Sequence, residues 1–153
     1  MKILMVCLGN ICRSPLAEGI LKHKAGNRPI FVDSAGTSAY HAGELPDSRS
    51  IQVANKYNID ITDQRSRPFV LEDFKIFDFI FVMDSSNYSN IMKLTQDESY
   101  RKKVKMILNM VEPDKNKGVP DPYFDAKNGF EIVYNMLEKA CDAIVYKYDK
   151  SDL

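Results

Sequence analysis

One short segment near the start of the chain combines the residue types needed for nucleophilic attack on a bound anion. It runs from Cys7 to Ser14 and reads CLGNICRS. Cys7 supplies a sulfur nucleophile, and Arg13, six positions later, supplies a guanidinium that can hold two oxygens of a phosphoryl group at once. Ser14 follows directly, with a hydroxyl that can hydrogen-bond the sulfur. The segment predicts a site built for attack on phosphorus.

The backbone of the same segment also favours an anion. Gly9 lacks a Cβ and Asn10 tolerates left-handed backbone angles, so several N–H groups can turn inward and form an anion-binding nest. A helix that begins near Pro15 adds the partial positive charge of its N-terminus. A lone Cys-x5-Arg spacing is weak evidence, and a cysteine that ends a strand is commonly only a small buried side chain. The interpretation therefore depends on where the fold places the segment.

The surrounding segments alternate between strand-like and helix-like patterns, which indicates an α/β domain with a parallel sheet. The segment with Cys7 would then turn at the carboxyl edge of the sheet, where ligands bind in open α/β folds. The predicted strands are Lys2 to Cys7, Ile30 to Ser34, Asp78 to Met83 and Lys105 to Leu108. The predicted helices are Pro15 to Ala25, Asp47 to Tyr57, Leu71 to Phe74, Asn87 to Leu94, and a last amphipathic helix carrying Phe130, Val133, Leu137, Cys141, Ile144 and Val145. The longest predicted loop covers residues 112–128, and loops of that length are usually functional or mobile.

Composition narrows the class of protein. The 153 residues suit one domain, and 21 basic residues balance 21 acidic ones. The lack of a basic excess argues against a nucleic-acid partner. The apolar start of the chain is too short for a membrane span and is followed by no cleavage site, so we expect a cytoplasmic protein that has no membrane partner. Three cysteines argue against a disulfide framework and for a reducing compartment.

Four separated segments resemble the low-molecular-weight protein tyrosine phosphatases. Cys7 to Pro15 resembles the signature loop of that family, and Asp121-Pro122-Tyr123 resembles its acid loop. Residues 33–37 and 83–87 look like the ends of its second and third strands. The resemblance covers essentially the whole chain. It implies a single domain over residues 1–153, with a four-stranded parallel sheet, helices on both faces in a flavodoxin-like or Rossmann-like arrangement, and a phosphate loop between the first strand and the first helix.

The resemblance also implies catalytic roles. Cys7 is implied as the nucleophile, Arg13 as the phosphate clamp, and Asp121 as the general acid that protonates the leaving phenolate and then serves as base for water. Without the upstream loop, an Asp before Pro would be interpreted as a turn residue. The implied substrate-binding residues are Leu8, Gly9, Asn10, Ile11, Cys12, Ser14, Tyr40 and Tyr123.

Other implied roles concern support, specificity and redox chemistry. Asn10, Ser14 and Ser34 are implied to hold the loop through hydrogen bonds, although a turn Asn and a strand-end Ser are common on their own. Tyr40 and Tyr123 are implied as aromatic walls that select phenyl phosphates; the alternative is ordinary surface tyrosine. Cys12 is implied to form a reversible disulfide with Cys7 that prevents over-oxidation, and a buried, inert Cys12 is the alternative.

Cofactors and partners follow from the same resemblance. The implied reaction needs no cofactor and no metal, and His23 and His41 lack metal-ligand neighbours at useful spacing. The implied partners are phosphotyrosine-containing proteins, with inorganic phosphate as product, acted on by a monomer or weak dimer.

Three other functions compete with this prediction. An arsenate reductase on the same scaffold needs two further cysteines beyond the third strand, where residues 83–87 contain none. A phosphoarginine phosphatase tends to carry Thr where this chain has Ile11. A non-catalytic phosphopeptide-binding module would need the anion nest but not Asp121. The residues favour hydrolysis of phosphotyrosine.

Overall fold

A four-stranded parallel sheet forms the centre of the structure, a computed structural model that describes residues 1–124 and 128–153. The strands lie in the order β2-β1-β3-β4. Because the strand order reverses beside β1, the loop that follows this strand opens at the topological switch point, where α/β sheets bind ligands. The strand bounds are β1 (Lys2–Cys7), β2 (Phe31–Gly36), β3 (Phe79–Val82) and β4 (Val104–Met106).

Six α-helices in the described residues cover the two faces of the sheet. On one face, α1, α2 and α6 enclose a core that includes Leu16, Ile20 and Leu137, while on the other face Phe74 and Ile91 pack against the sheet from α3 and α4. The helix bounds are α1 (Arg13–Ala25), α2 (Ser48–Lys56), α3 (Asp73–Ile76), α4 (Ser85–Met92), α5 (Glu98–Arg101) and α6 (Gly129–Asp149), with 3₁₀ turns at Ile107–Met110 and Pro122–Phe124. The predicted fold class, a parallel sheet with helices on both faces, is confirmed.

Several predicted boundaries differ from the structure for identifiable reasons. Residues Ile107 and Leu108 were predicted as strand, but they are buried in a 3₁₀ turn, and an apolar pattern does not distinguish these two states. Helix α4 begins at Ser85, two residues before the predicted start, because Asp84 and Asn87 form a capping box. Helix α3 begins and ends two residues later than predicted, and the four-residue helix α5 was not predicted.

The last helix agrees with the prediction and extends to Asp149, with Cys141 fully buried on its apolar face. Within the predicted loop 112–128, residues 122–124 form a 3₁₀ turn and residues 125–127 lie outside the described part of the chain. No helix in the described residues is long and apolar enough to cross a membrane.

Candidate active site

The turn between β1 and α1 places Cys7 at the end of a buried strand and Arg13 at the start of a helix. Asn10 has φ of 56°, the left-handed conformation that the sequence predicted for this position. This turn brings the Asn10 backbone N–H to 3.3 Å from the Cys7 sulfur, to which it donates. The loop therefore curls around Cys7 Sγ, as an anion-binding nest requires.

A second donor reaches the sulfur from Ser14. Its Oγ lies 3.0 Å from Cys7 Sγ, and it also accepts a hydrogen bond of 2.7 Å from Asn10 Nδ2. An amide nitrogen can only donate, so the Ser14 oxygen accepts from Asn10 and its own hydrogen is free to point at the sulfur. The Asn10 N–H and the Ser14 hydroxyl can thus both donate to the Cys7 sulfur.

Asn10 connects the loop to the rest of the fold, with its side chain 2 % exposed. Its Nδ2 donates to Ser34 Oγ at 2.9 Å, and its Oδ1 accepts from the backbone N–H of Arg67 at 3.0 Å. Ser34 in turn donates to Glu18 Oε1 at 2.7 Å. The side chains of Asn10 and Ser14 thus lie beneath the loop, and only the backbone of these two residues is available to face a substrate.

Arg13 is a buried guanidinium with one anchored nitrogen. Its Nη1 donates to Asp84 Oδ2 at 2.6 Å and to the Val119 carbonyl at 2.9 Å, while its Nη2 lies 3.6 Å from Asp121 Oδ2. The two anchors fix the plane of the guanidinium. Among the described residues no hydrogen bond occupies Nη2 or Nε, so this edge is available for an oxyanion.

Asp121 lies immediately before the 3₁₀ turn at Pro122–Phe124 and faces Nη2 of Arg13, whereas Asp84 binds Nη1. Asp121 Oδ1 accepts a hydrogen bond of 3.0 Å from the Tyr123 backbone N–H, and its Oδ2 is the oxygen that faces Arg13. The carboxylate is therefore oriented by its own turn and remains partly exposed to solvent.

A cavity of about 330 Å³ unites these groups. A larger cavity of about 600 Å³ beside β4 is lined by no cysteine, histidine or arginine. The smaller cavity is therefore the one whose lining combines a thiol, a guanidinium and a carboxylate. In the described part of the chain, no group of three or more His, Cys, Asp or Glu side chains could hold a metal ion. The smaller cavity is lined by Cys7, Leu8, Gly9, Ile11, Cys12, Arg13, Ser38, Tyr40, His41, Asp121, Tyr123 and Phe124.

Aromatic rings surround the mouth of this cavity. Tyr40 packs edge-on against His41 with ring centroids 4.8 Å apart, and His41 lies 6.3 Å from the Tyr123 ring. The His41 ring is held by Glu44, whose Oε2 lies 2.8 Å from Nδ1. Tyr40 is 85 % exposed, so its ring is free to meet a ligand. The predicted aromatic residues thus lie together at the entrance.

The three cysteines are free thiols in different surroundings. Burial, aided by the nearby Asp47 carboxylate, raises the pKa of Cys12 to about 12, so this side chain stays a thiol at neutral pH. Burial also raises the pKa of Cys141 far above its usual range. Cys7 and Cys12 line the same cavity, and their reversible pairing stays a prediction.

Sequence analysis missed three residues that shape this site. Asp84 lies in one of the segments that resemble the family, but the sequence analysis assigned it no role. Its position at the end of β3, which pairs with β1, was the signal that could have placed it near the loop after β1. Glu18, on α1, contacts Ser34, and Arg67, in the segment before α3, contacts Asn10. No local pattern in the sequence marks either residue.

The sequence and the fold are similar to those of known proteins. Residues 2–152 match the family model described as low molecular weight phosphotyrosine protein phosphatase. The phosphatase of that name from Schizosaccharomyces pombe is 43% identical, over 89% of this chain and 89% of its own. The crystal structure of a protein tyrosine phosphatase from Entamoeba histolytica matches with a TM-score of 0.92 and 39% identity, covering 100% of this chain and 99% of that one. A Drosophila arginine phosphatase matches with a TM-score of 0.89 and 31% identity, covering 97% and 98%. The chain belongs to the low molecular weight phosphotyrosine protein phosphatase family.

Proposed function

We propose that this protein hydrolyses phosphotyrosine through a cysteinyl-phosphate intermediate, with Cys7 as nucleophile, Arg13 as phosphate clamp and Asp121 as general acid and base. The observation that carries the proposal is the convergence of these three side chains on one cavity. A non-catalytic binding module would need the first two but has no use for a carboxylate 3.6 Å from the clamp.

In the first step, the loop N–H groups and the open edge of Arg13 hold the phosphoryl oxygens. The Cys7 thiolate attacks phosphorus, so that an S–P bond forms while the bond to the phenolic oxygen breaks. Asp121, in its acid form, gives its proton to that oxygen, because a phenolate leaves poorly without one. The products of this step are the free phenol and the cysteinyl phosphate.

In the second step, water attacks the same phosphorus and the S–P bond breaks. The Asp121 carboxylate takes a proton from the water, which regenerates the acid, and inorganic phosphate leaves. The departing thiolate receives hydrogen bonds from Ser14, 3.0 Å away, and from the Asn10 N–H, 3.3 Å away. Both donors are in place before the reaction, so stabilising the thiolate requires no rearrangement of the loop.

The cavity walls support a preference for aryl phosphates. Tyr40 and Tyr123 flank the entrance, and a phenyl ring packed between them places its phosphate at the bottom, beside Cys7. The shorter phosphoserine would leave this slot unfilled and would not bring its phosphate to the same depth. The exposed Tyr40 and Phe124 at the rim suit contact with a protein substrate.

A phosphoarginine phosphatase is the second candidate, because the chain is similar to the Drosophila arginine phosphatase. Ile11 lies on the cavity wall and offers a guanidinium no hydrogen-bond acceptor on its side chain. Tyrosine is therefore the favoured substrate. Arsenate reduction lacks support, since residues 83–87 beyond the third strand contain no cysteine, and Cys141 is buried on α6 and does not line the cavity.

An assay of phenyl phosphate hydrolysis tests the proposal. Cys7→Ser should abolish turnover, because a serine hydroxyl in this loop is a far weaker nucleophile than a thiolate. Asp121→Asn should reduce turnover by about 10²–10³-fold with phosphate binding retained, since the amide cannot donate a carboxylic proton.

Other outcomes would contradict specific parts of the proposal. Full activity in Cys7→Ser would overturn the covalent mechanism. A wild type that binds phosphotyrosine without cleaving it would favour the binding module. Faster hydrolysis of a phosphoarginine peptide than of the matched phosphotyrosine peptide would favour the second candidate.

A further inference from the structure

A guanidinium outside the cavity contacts the segment that carries the general acid. Arg49, in the first turn of α2, donates from Nη2 to the Tyr123 carbonyl at 3.3 Å. Its Cζ lies 5.6 Å from the centroid of the Tyr123 ring and 4.7 Å from that of Phe130. Arg49 thus contacts both the backbone and the ring of Tyr123, and it also packs on the start of α6.

Tyr123 in turn orients Asp121. Its backbone N–H donates to Asp121 Oδ1 at 3.0 Å, so the other carboxylate oxygen, Oδ2, faces Arg13. The position of Tyr123 therefore determines which oxygen of Asp121 points into the cavity and where it lies.

Arg49 is itself fixed to the nucleophile loop. Its Nε and Nη2 form a two-pronged pair with Asp47 Oδ1 and Oδ2, at 3.0 and 2.9 Å. The Asp47 backbone N–H donates to the Ile11 carbonyl at 2.8 Å. One continuous set of contacts therefore runs from the loop around Cys7, through Asp47 and Arg49, to Tyr123 and the carboxylate of Asp121.

We propose that Arg49 is a positioning residue for the general acid: it holds Tyr123, and through it Asp121, at the distance from the nucleophile loop that proton transfer to the leaving group requires. This inference rests on the proposed function, in which Asp121 is the acid. Proton transfer is sensitive to such placement, because a displacement of about 1 Å can cost about 10²-fold in rate.

The geometry requires an arginine. The planar guanidinium forms the pair with Asp47, donates to a carbonyl and lies against two rings at the same time. A lysine ammonium is a compact charge that can reach one of these partners but cannot reproduce the flat contact. Arg49→Lys should therefore preserve only part of the effect.

The test compares kcat/KM for phenyl phosphate and 4-nitrophenyl phosphate in the full chain. Because the nitro group stabilises the leaving phenolate, the second substrate depends less on the general acid, and kcat/KM reports the step in which that group leaves. We expect Arg49→Met to lower kcat/KM for phenyl phosphate by about tenfold and for 4-nitrophenyl phosphate by much less. Competitive inhibition by inorganic phosphate should be unchanged, because the loop and Arg13 are intact.

Two further variants separate positioning from general destabilisation. Arg28→Met removes a similar two-pronged pair, with Asp149, at a site remote from the cavity, and should leave both substrates unaffected. In an Asp121→Asn background, Arg49→Met should have no further effect, since there is no acid left to position.

The proposal fails if Arg49→Met lowers kcat/KM equally for both substrates, if the loss persists in the Asp121→Asn background, or if phosphate inhibition weakens in proportion. Arg49→Lys, which retains the charge, should show the same substrate pattern with a smaller loss; the full loss in both substrates would also overturn it. An inert wild type or an active Cys7→Ser would instead contradict the proposed function, so the two failures are distinguishable.

Discussion

The Asn10 amide sets the direction of the hydrogen bonds that link Glu18 to Cys7. Glu18 Oε1 accepts from Ser34, and Ser34 accepts from the amide of Asn10. The same amide nitrogen donates to Ser14, which leaves the Ser14 hydrogen for the sulfur of Cys7. An amide nitrogen can only donate, so each serine accepts from Asn10 and keeps its own hydrogen, Ser34 for Glu18 and Ser14 for Cys7.

The burial of Glu18 predicts a pH dependence of stability. Burial raises the pKa of Glu18 above its usual 4.5, with Lys22 and Ser34 offsetting part of the effect. A raised folded-state pKa favours the protonated form, so its contribution to stability is present below pH 4.5 and is lost as pH rises through the folded-state value. Glu18→Gln removes this dependence. We expect the unfolding free energy of this variant, relative to wild type, to increase from acidic to neutral pH in urea titrations.

Glu112→Gln is the matched control for this prediction. Glu112 is exposed and paired with Lys117 at 2.8 Å, and this pairing lowers its pKa. The sign is therefore reversed: the stability that Glu112 contributes is present above pH 4.5 and is lost on acidification. Its effect should be small because the pair is exposed. A stability difference for Glu18→Gln that is constant with pH would show that the buried carboxyl does not titrate as its surroundings indicate.

At the scale of secondary-structure elements, Asp84 joins the start of α4 to Arg13, the proposed phosphate clamp. Its Oδ1 accepts from the Asn87 backbone N–H at 2.8 Å and caps the helix, while its Oδ2 accepts from Arg13 at 2.6 Å. One carboxylate thus satisfies a helix N-terminus and a buried guanidinium. The pairing of β1 with β3 brings the end of β3 beside the loop that follows β1 and so makes this double use possible.

Asp84→Asn tests this double use. Asn is as good an N-cap as Asp, but its amide offers one oxygen to two donors and brings no charge to Arg13. We expect the unfolding free energy to fall by about 1–3 kcal/mol, because a buried guanidinium loses its charged partner. The control is Asp97→Asn: Asp97 caps α5 through the Ser99 N–H at 2.8 Å and has no guanidinium partner among the described residues. Equal losses in the two variants, measured by urea unfolding, would show that the pair with Arg13 contributes nothing.

The elements were largely predictable because their signals are local. Strand β1 has the predicted bounds, and α2 is flanked by the predicted ends Asp47 and Tyr57 as its caps. The four residues of α5, Glu98–Arg101, contain no buried side chain, so no apolar periodicity predicts a helix there. The predicted boundaries were wrong where a helix cap or a 3₁₀ turn, and not an apolar pattern, determines the end of an element.

The site was predictable to the extent that its residues lie in one segment. Cys7, Arg13 and Ser14 fall within eight positions, and the backbone chemistry of that segment indicated an anion site. Asp121 entered only by resemblance, since it lies 114 positions from Cys7 in the numbering of the chain. Arg49 could not be predicted because its contacts with Tyr123 and Phe130 form only after α2 and α6 pack together.

At the scale of the whole molecule, the anion site is assembled from segments spread over most of the chain. The nucleophile loop follows β1, Asp84 follows β3, and the Val119 carbonyl and Asp121 come from the segment before α6. Both hydrogen bonds of Arg13 join residues more than 70 positions apart in the chain. These contacts therefore do not survive unfolding. The proposed phosphate site is therefore also a set of tertiary contacts that stabilises the fold.

This coupling predicts that inorganic phosphate stabilises the protein by mass action. At 100 times its Kd, phosphate should raise the unfolding free energy by about 2.7 kcal/mol, provided that the unfolded chain does not bind it. Chloride at matched ionic strength should not reproduce the effect. Arg13→Lys should need a higher phosphate concentration for the same stabilisation, because an ammonium cannot form two parallel hydrogen bonds with the anion. Arg49→Met should respond as wild type does, since Arg49 is proposed to position the acid and not the anion. Equal stabilisation of wild type and Arg13→Lys at every concentration, measured by thermal unfolding, would place the anion elsewhere in the molecule.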